Sequence, residues 1–331
     1  MSNPRGRVEK LRRRAVSLTG LAVATITITL TVPIWLPVAL VVDAARLRFR
    51  FPVARLLTFA VCWCWIESGG VLRAFALWLR GRAGDRDAHY RLMAWWAGAL
   101  MRAMSRTTGM RPTIEHLDVL VPGNAVVLSR HASLGDSLLS GWAFATEAQI
   151  HPRYVLKKEL LFDPCLDVVG LRVPNHFLDR EATDGSAELA ALEDLAAGIG
   201  PGVVGVIFAE GTRSNDAKRQ RALEKIAERD PERAERMRPL RRLLPPRTAG
   251  SMALLAGAPD ADVILVWHTG FDGLDSFGGM VRRLGRGLPP ARFVAERVPR
   301  SEVPSGASFG RWLDDQWLRM DAEVDAALGP S

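Results

Sequence analysis

Cysteine is scarce: there are three in 331 residues, at positions 62, 64 and 165. Three thiols cannot all pair and two of them sit in an apolar run, so no disulfide framework is expected, and a reducing compartment is. Cys62-Trp63-Cys64 lacks further ligands at metal spacing, which argues against a zinc site and leaves no metal in the reading. Ser133 is a candidate nucleophile by residue type, but no Gly-x-Ser-x-Gly elbow surrounds it. Internal repeats are absent. Gly200-x-Gly202-x-x-Gly205 has the spacing of a dinucleotide fingerprint, yet it follows a helical stretch and leads into a strand, the reverse of the order that fold needs.

Charge is missing where it matters most. Ala15 to Val42 contains no charged residue, long enough to cross a bilayer, for which roughly 20 apolar residues suffice. Hydrophobic residues make up 48% of the chain and mean hydropathy is +0.05. The net charge is +8. Residues 1–55 hold ten arginines and lysines against only Glu9 and Asp43, so this stretch carries the whole excess. Basic residues that bracket an apolar run suit anionic lipid, and nucleic acid is not expected as a partner. The run is too long for a signal-peptide core and is read as retained. Leu56 to Leu79 is a second apolar stretch, interrupted by Glu67 and Arg73. Two clean spans would leave Arg46, Arg48, Arg50 and Arg55 in the far-side loop, against the positive-inside tendency. Pro33 and Pro37 offer a break into a re-entrant hairpin, so partial insertion is the preferred expectation; a buried hairpin of a soluble protein is the alternative. Asp87 to Arg106 mixes tryptophan, leucine and methionine with arginine. It is expected as a helix that either lies at the membrane interface or packs its apolar face on the catalytic core.

Beyond about residue 110 the pattern alternates. Strands are expected at 125–129, 153–157, 173–178, 203–208, 262–267 and 292–298. Helices are expected at 136–148, 187–197, around 252–255, 308–328, and over 217–244 with a break at Pro231. This is an α/β order, an αβα sandwich around a mostly parallel mixed sheet, following an N-terminal membrane-associated helical segment. The expected division is 1–109 for anchoring or interfacial helices and 110–331 for a catalytic domain.

Two short blocks carry chemistry. His131-Ala-Ser-Leu-Gly-Asp136 places an imidazole and a carboxylate on one turn. His131 suits a general base, with Asp136 fixing its tautomer; alternatively Asp136 only caps the following helix and His131 is a packed loop residue. The second block is Phe208-Ala-Glu-Gly-Thr-Arg-Ser214, at the end of a β-type run. Gly211 lets a substrate approach the backbone, Thr212 offers a hydroxyl and Arg213 a bidentate phosphate contact. Alternatively Glu210 and Arg213 are solvated turn residues. Base and cradle together suit transfer of a group onto a hydroxyl of an anionic substrate.

His131-x₄-Asp136 followed by Phe208–Ser214 resembles the glycerophospholipid acyltransferase family, whose central members are the 1-acylglycerol-3-phosphate acyltransferases. Leu156-Lys-Lys-Glu-Leu160 with Phe177-Leu-Asp-Arg180 resembles that family's second motif. Leu244-Pro-Pro-Arg-Thr-Ala-Gly250 is similar to the branch with lysocardiolipin acyltransferase-like proteins. The chain departs at Ala209, where proline is usual, at Arg130, where asparagine often precedes the histidine, and in a fourth motif only loosely matched by Asp262–Trp267. The resemblance implies that His131, oriented by Asp136, deprotonates a glycerol hydroxyl of a lysophospholipid, most simply 1-acyl-sn-glycerol 3-phosphate. That oxygen then attacks an acyl thioester, acyl-CoA or acyl carrier protein, as co-substrate, with no other cofactor. It also implies that Glu210, Gly211, Thr212 and Arg213 hold the glycerol phosphate, with Lys157 and Arg180 adding positive charge and Arg247 a weaker candidate. The implied place is the cell membrane, catalytic domain on the cytoplasmic side. A different lysophospholipid headgroup, or a membrane-anchored hydrolase, remains open on these residues.

Overall fold

The computed structural model describes residues 4–133, 135–179, 185–274 and 276–329. In chain order the elements are α1 (Pro4–Leu30), α2 (Val32–Ala45), α3 (Pro52–Leu79), α4 (Arg86–Thr108), β1 (Pro112–Glu115), β2 (Ala125–Ser129) and α5 (Asp136–Gly141). A π-helical stretch, Trp142–Glu147, continues α5. Then come β3 (His151–Lys157), α6 (Pro164–Val168), β4 (His176–Leu178), α7 (Gly185–Ala196), β5 (Val203–Phe208), α8 (Asp216–Ala227) and α9 (Pro231–Met237). The chain closes with α10 (Thr248–Gly257), β6 (Asp262–Thr269), α11 (Phe277–Arg286), β7 (Ala291–Val298) and α12 (Ala307–Leu328).

Two compact units emerge. The first comprises residues 1–110, 156–180 and 276–288, the second 111–155, 181–275 and 289–331. The first break falls beside the expected division at 109/110, but two later segments that the sequence reading gave to the catalytic domain belong with the N-terminal helices.

In the first unit α1 and α2 meet at a 68° bend. The break lies at Thr31, two residues before Pro33, because a proline ring clashes with the carbonyl four residues earlier and removes a helix donor. Pro37 is accommodated inside α2. Buried Asp43 accepts from the Val53 and Ala54 amides at 2.9 and 3.2 Å, satisfying orphan donors at the start of α3. Helix α3 is long and apolar enough, by length and composition, to cross a membrane, and the bent α1–α2 pair passes the same test when taken together. Asp85 caps α4, accepting from Ala88 N at 2.9 Å. The expected 87–106 helix thus exists, and it packs along α3, where Ala74 and Leu92 share a small core with Cys165 and Val169.

The second unit is built on a sheet with strand order β1-β7-β6-β2-β5-β3. Its neighbours run parallel except for β6 and β7. Every residue of central β2 is buried, as a strand covered on both faces must be. On one face Val126, Leu128, Val263 and Leu265 pack with Leu254 of α10, Leu192 of α7, and Leu313 and Trp317 of α12. On the other face Phe144 of the π-helical stretch meets Phe293 of β7 edge to face, with centroids 6.0 Å apart. This is the αβα sandwich the alternation predicted. The charged 217–244 stretch breaks before Pro231 as expected, but it ends as a helix at Met237. The amides of Arg241, Arg242 and Leu243 then donate to buried Asp321 of α12 at 2.7–2.8 Å. The 136–148 helix is α only to Gly141, the 173–178 strand is shortened to 176–178, and β1 and α11 were not foreseen.

Candidate active site

Parallel register assembles the site. In the β2–β5 ladder Ser129 pairs with Phe208, and in the β2–β6 ladder Ser129 pairs with Val266. His131, Glu210 and His268 each stand two residues beyond that shared rung, on three neighbouring strands. They therefore collect at the carboxyl edge of the sheet, where open α/β folds bind ligands.

His131 Nδ1 lies 2.9 Å from Asp136 Oδ2, and the ring stacks at a tilt on Phe208, centroids 4.8 Å apart. Asp136 is fully enclosed. Its Oδ2 also accepts from the amides of Ala132 and Ser133, the latter at 2.8 Å, and its Oδ1 accepts the Ser133 hydroxyl. These donors precede α5 and are not its free N–H groups, so Asp136 does not cap that helix; it closes the turn that carries His131. Ser133 is buried with its hydroxyl committed to Asp136, which removes it as a nucleophile. Burial works to raise the Asp136 pKa, but attraction to His268 and the hydrogen bond and charge of His131 outweigh it, and the carboxyl is held well below the usual range. An ionised Asp136 can only accept, so Nδ1 of His131 carries a proton, and in the neutral ring Nε2 is the nitrogen with the lone pair. No described residue bonds Nε2.

His268 was missed by the sequence reading. It is buried, and its Nε2 lies 3.4 Å from Asp136 Oδ1, farther than the groups that hydrogen-bond to Asp136. The only local signal was a histidine at the end of an apolar run, the same context as His131. Arg130, noted as a departure, is buried and ties this region together: its guanidinium donates to the His268 carbonyl and to Asp272 Oδ1. An arginine fork can bridge two acceptors in this way.

Glu210 is turned to the backbone. It is buried, and its two oxygens accept from His131 N at 2.9 Å and Leu244 N at 3.0 Å. It fixes the backbone of the histidine turn against the segment before Pro245-Pro246. Burial pushes its carboxyl up to about 8, against the pull of these hydrogen bonds and of Arg130. Because that folded value lies above the ordinary 4.5, its favourable contribution is complete below about 4.5 and is lost as pH rises through about 8. Glu210→Ala is expected to lower stability by about 1–3 kcal/mol for each amide left unsatisfied. It should also flatten the decline of urea-measured stability across that pH window. Its turnover should fall while the KM for acceptor changes little; a selective rise in that KM would restore Glu210 as a substrate ligand.

The rest of the second block is half-buried. Gly211 has φ +69, and a Cβ there would press on the Arg247 guanidinium. Arg247 N donates to Ala209 O at 2.8 Å, which lays the Leu244–Gly250 motif against this loop. Lys218, also missed, donates from Nζ to Thr212 Oγ1 at 3.3 Å and to Arg213 O at 3.0 Å. Ser214 N donates to His131 O at 2.8 Å, joining the two blocks directly. The Arg213 side chain is half-buried, and no described residue pairs with its guanidinium. Lys157 ends β3 and belongs to the first unit. Arg180 lies outside the described residues.

Residues 111–266 match the model of a family described as acyltransferase. The fold is similar to the crystal structure of the 1-acyl-sn-glycerophosphate (LPA) acyltransferase PlsC from Thermotoga maritima. The TM-score is 0.54 at 18% identity, over 84% of this chain and 97% of that one. Comparison with curated proteins gives no match. The family match and the shared fold agree with the resemblance read from the motifs.

Proposed function

We propose that the protein, whose residues 111–266 match the model of a family described as acyltransferase, moves a fatty acyl group from an acyl thioester to a glycerol hydroxyl of a lysophospholipid. In this reading the acceptor is 1-acyl-sn-glycerol 3-phosphate, the acyl donor acyl-CoA or acyl carrier protein, and the product phosphatidic acid. The observation that carries it is the His131–Asp136 pair, with Nδ1 committed and Nε2 free at the sheet edge.

The acceptor hydroxyl gives its proton to His131 Nε2 as its oxygen attacks the thioester carbonyl carbon. The C–S bond then breaks, and the departing thiolate takes the proton back from the imidazolium. Ionised Asp136 stabilises that imidazolium and holds the ring in place. Arg213 binds the acceptor phosphate as a bidentate fork, with Thr212 and the glycine backbone beside it and Lys218 adding charge. Glu210 is a positioning residue that sets the His131 backbone. Arg247 supplies further positive charge toward the anionic substrates.

The enzyme acts on lipid at a membrane surface, catalytic unit on the cytoplasmic side. The apolar length of α3 and the bent α1–α2 pair support this placement, as does the basic excess around them. The test is purified protein in detergent, offered a panel of lysophospholipids with each thioester donor, the products read by mass spectrometry. Diacyl phospholipid should form, fastest with 1-acylglycerol 3-phosphate. Free fatty acid released from the thioester, with no diacyl product from any acceptor, would make the protein a hydrolase instead.

A further inference from the structure

The first unit carries a second basic feature, remote in sequence from both motif blocks. Between α3 and α4 runs a cleft of about 370 Å³ lined by Arg73, Ala76, Leu77 and Arg80 from one helix and Ala88, Arg91, Leu92 and Trp95 from the other, with Arg82 at the turn. Each helix contributes residues spaced i, i+3, i+4 and i+7, a single face. The small side chains of Ala76 and Ala88 leave the space, and Leu77 and Leu92 make its floor apolar. The walls are cationic. Arg73 lies over the Trp95 ring, its guanidinium carbon 3.6 Å from the centroid, which holds it extended beside the cleft. Arg82 pairs with Asp85. Arg80 and Arg91 are exposed, and no described residue bonds either guanidinium. Four arginines against one bonded acid leave the cleft strongly positive, and two forks are free to take an oxyanion.

The geometry points to this cleft as a binding site for the phosphate headgroup of an anionic membrane phospholipid, separate from the acyl-transfer centre. Its position selects lipid over a soluble phosphate. It lies at the carboxyl end of α3, the helix apolar enough to enter a bilayer, and Leu72, Phe75, Trp78 and Leu79 on that same last stretch are exposed. Phe75 and Trp78 stack with ring centroids 5.6 Å apart, and aromatic residues of this kind favour the headgroup level. An apolar floor under cationic walls fits an amphiphile: phosphate on the arginines, glycerol and first methylenes on Leu77 and Leu92. The inference rests on the membrane-surface reading above, but not on the identity of the acyl acceptor.

Co-flotation of the full chain with vesicles tests it, comparing phosphatidylcholine alone with the same lipid containing about one-third phosphatidylglycerol. The unaltered protein should favour the anionic vesicles. Arg80→Ala/Arg91→Ala should cut that preference about tenfold, since each basic residue near an anionic surface contributes several-fold. Ala76→Leu, which fills the cleft without changing charge, should also cut it, and Arg80→Lys/Arg91→Lys should restore it only in part. If Ala76→Leu and the lysine pair bind like the unaltered protein, the arginines act only as diffuse charge and the site is overturned. Calorimetry with inorganic phosphate separates the sources. Phosphate binding that the alanine pair abolishes, with the vesicle preference intact, would make the ligand soluble and overturn the lipid assignment. All these variants should keep acyl transfer on detergent-dispersed substrate. Absence of transfer in the unaltered protein, with the anionic preference present, would count against the proposed reaction and leave the cleft standing.

Discussion

His131→Ala is expected to lower acyl transfer by about 10²–10⁴-fold, the range over which a positioned general base contributes, while the protein still folds. The structure separates these two effects. Among the described residues the His131 ring bonds the Asp136 carboxylate and stacks on the Phe208 ring, and the turn itself is held by other bonds. Ala132 and Ser133 donate amides to Asp136, His131 donates its own amide to Glu210, and Ser214 donates to the His131 carbonyl. None of these needs the imidazole. Thermal unfolding of His131→Ala should therefore follow the unaltered protein closely, and turnover near normal would sink the mechanism. Asp136→Asn makes the contrast. It would turn an amide N–H group toward donors and present His131 with the wrong partner for its Nδ1 proton. Both turnover and unfolding temperature should fall, because the same carboxylate organises the histidine and closes its turn. A variant with full stability and lost turnover would mean that Asp136 acts on chemistry alone.

The second large effect is expected at Arg213. Charged hydrogen bonds contribute about 1.5–3 kcal/mol, so Arg213→Ala should raise the KM for a phosphate-bearing acceptor roughly 10- to 100-fold. The KM for the acyl thioester should change far less. The prediction follows from Arg213 being half-buried beside the His131 turn with its guanidinium unpaired among the described residues. An arginine kept there for structure would be expected to spend its donors, as Arg130 does on the His268 carbonyl and Asp272. Arg213→Lys should recover only part of the loss, because an ammonium keeps the charge without the planar fork. Equal weakening toward acceptor and donor would argue against a phosphate role, and Lys218, which braces the same loop, would become the residue to vary next.

Much of the fold was legible because burial writes itself locally. Five β-type runs became β2, β3, β5, β6 and β7: β2, β5 and β6 read as near-continuous apolar stretches because both faces are covered, and β3 and β7 as alternating ones. The α12 helix and the break before Pro231 followed from periodicity and proline stereochemistry in the same way. What failed was short or set from outside. Four residues of β1 are too few to show a period, and the π-helical stretch after Gly141 owes its form to packing such as Phe144 on Phe293.

By itself, then, the sequence singled out the candidate chemistry: an imidazole and a carboxylate five residues apart, and an acid, glycine, hydroxyl and guanidinium after a buried strand. It also placed the basic excess beside apolar helices. Only the tertiary structure decided what each side chain touches: Glu210 holds the amides of His131 and Leu244, Asp136 bonds His131 as first read and not the free amides of α5, and His268 arrives unannounced beside it. The physical reason is register. Hydrogen bonds between β2, β5 and β6 bring three residues far apart in the chain to one level of the sheet edge. Whether a carboxylate there faces substrate or backbone depends on donors from distant segments, such as the Leu244 amide, that no local pattern can reveal.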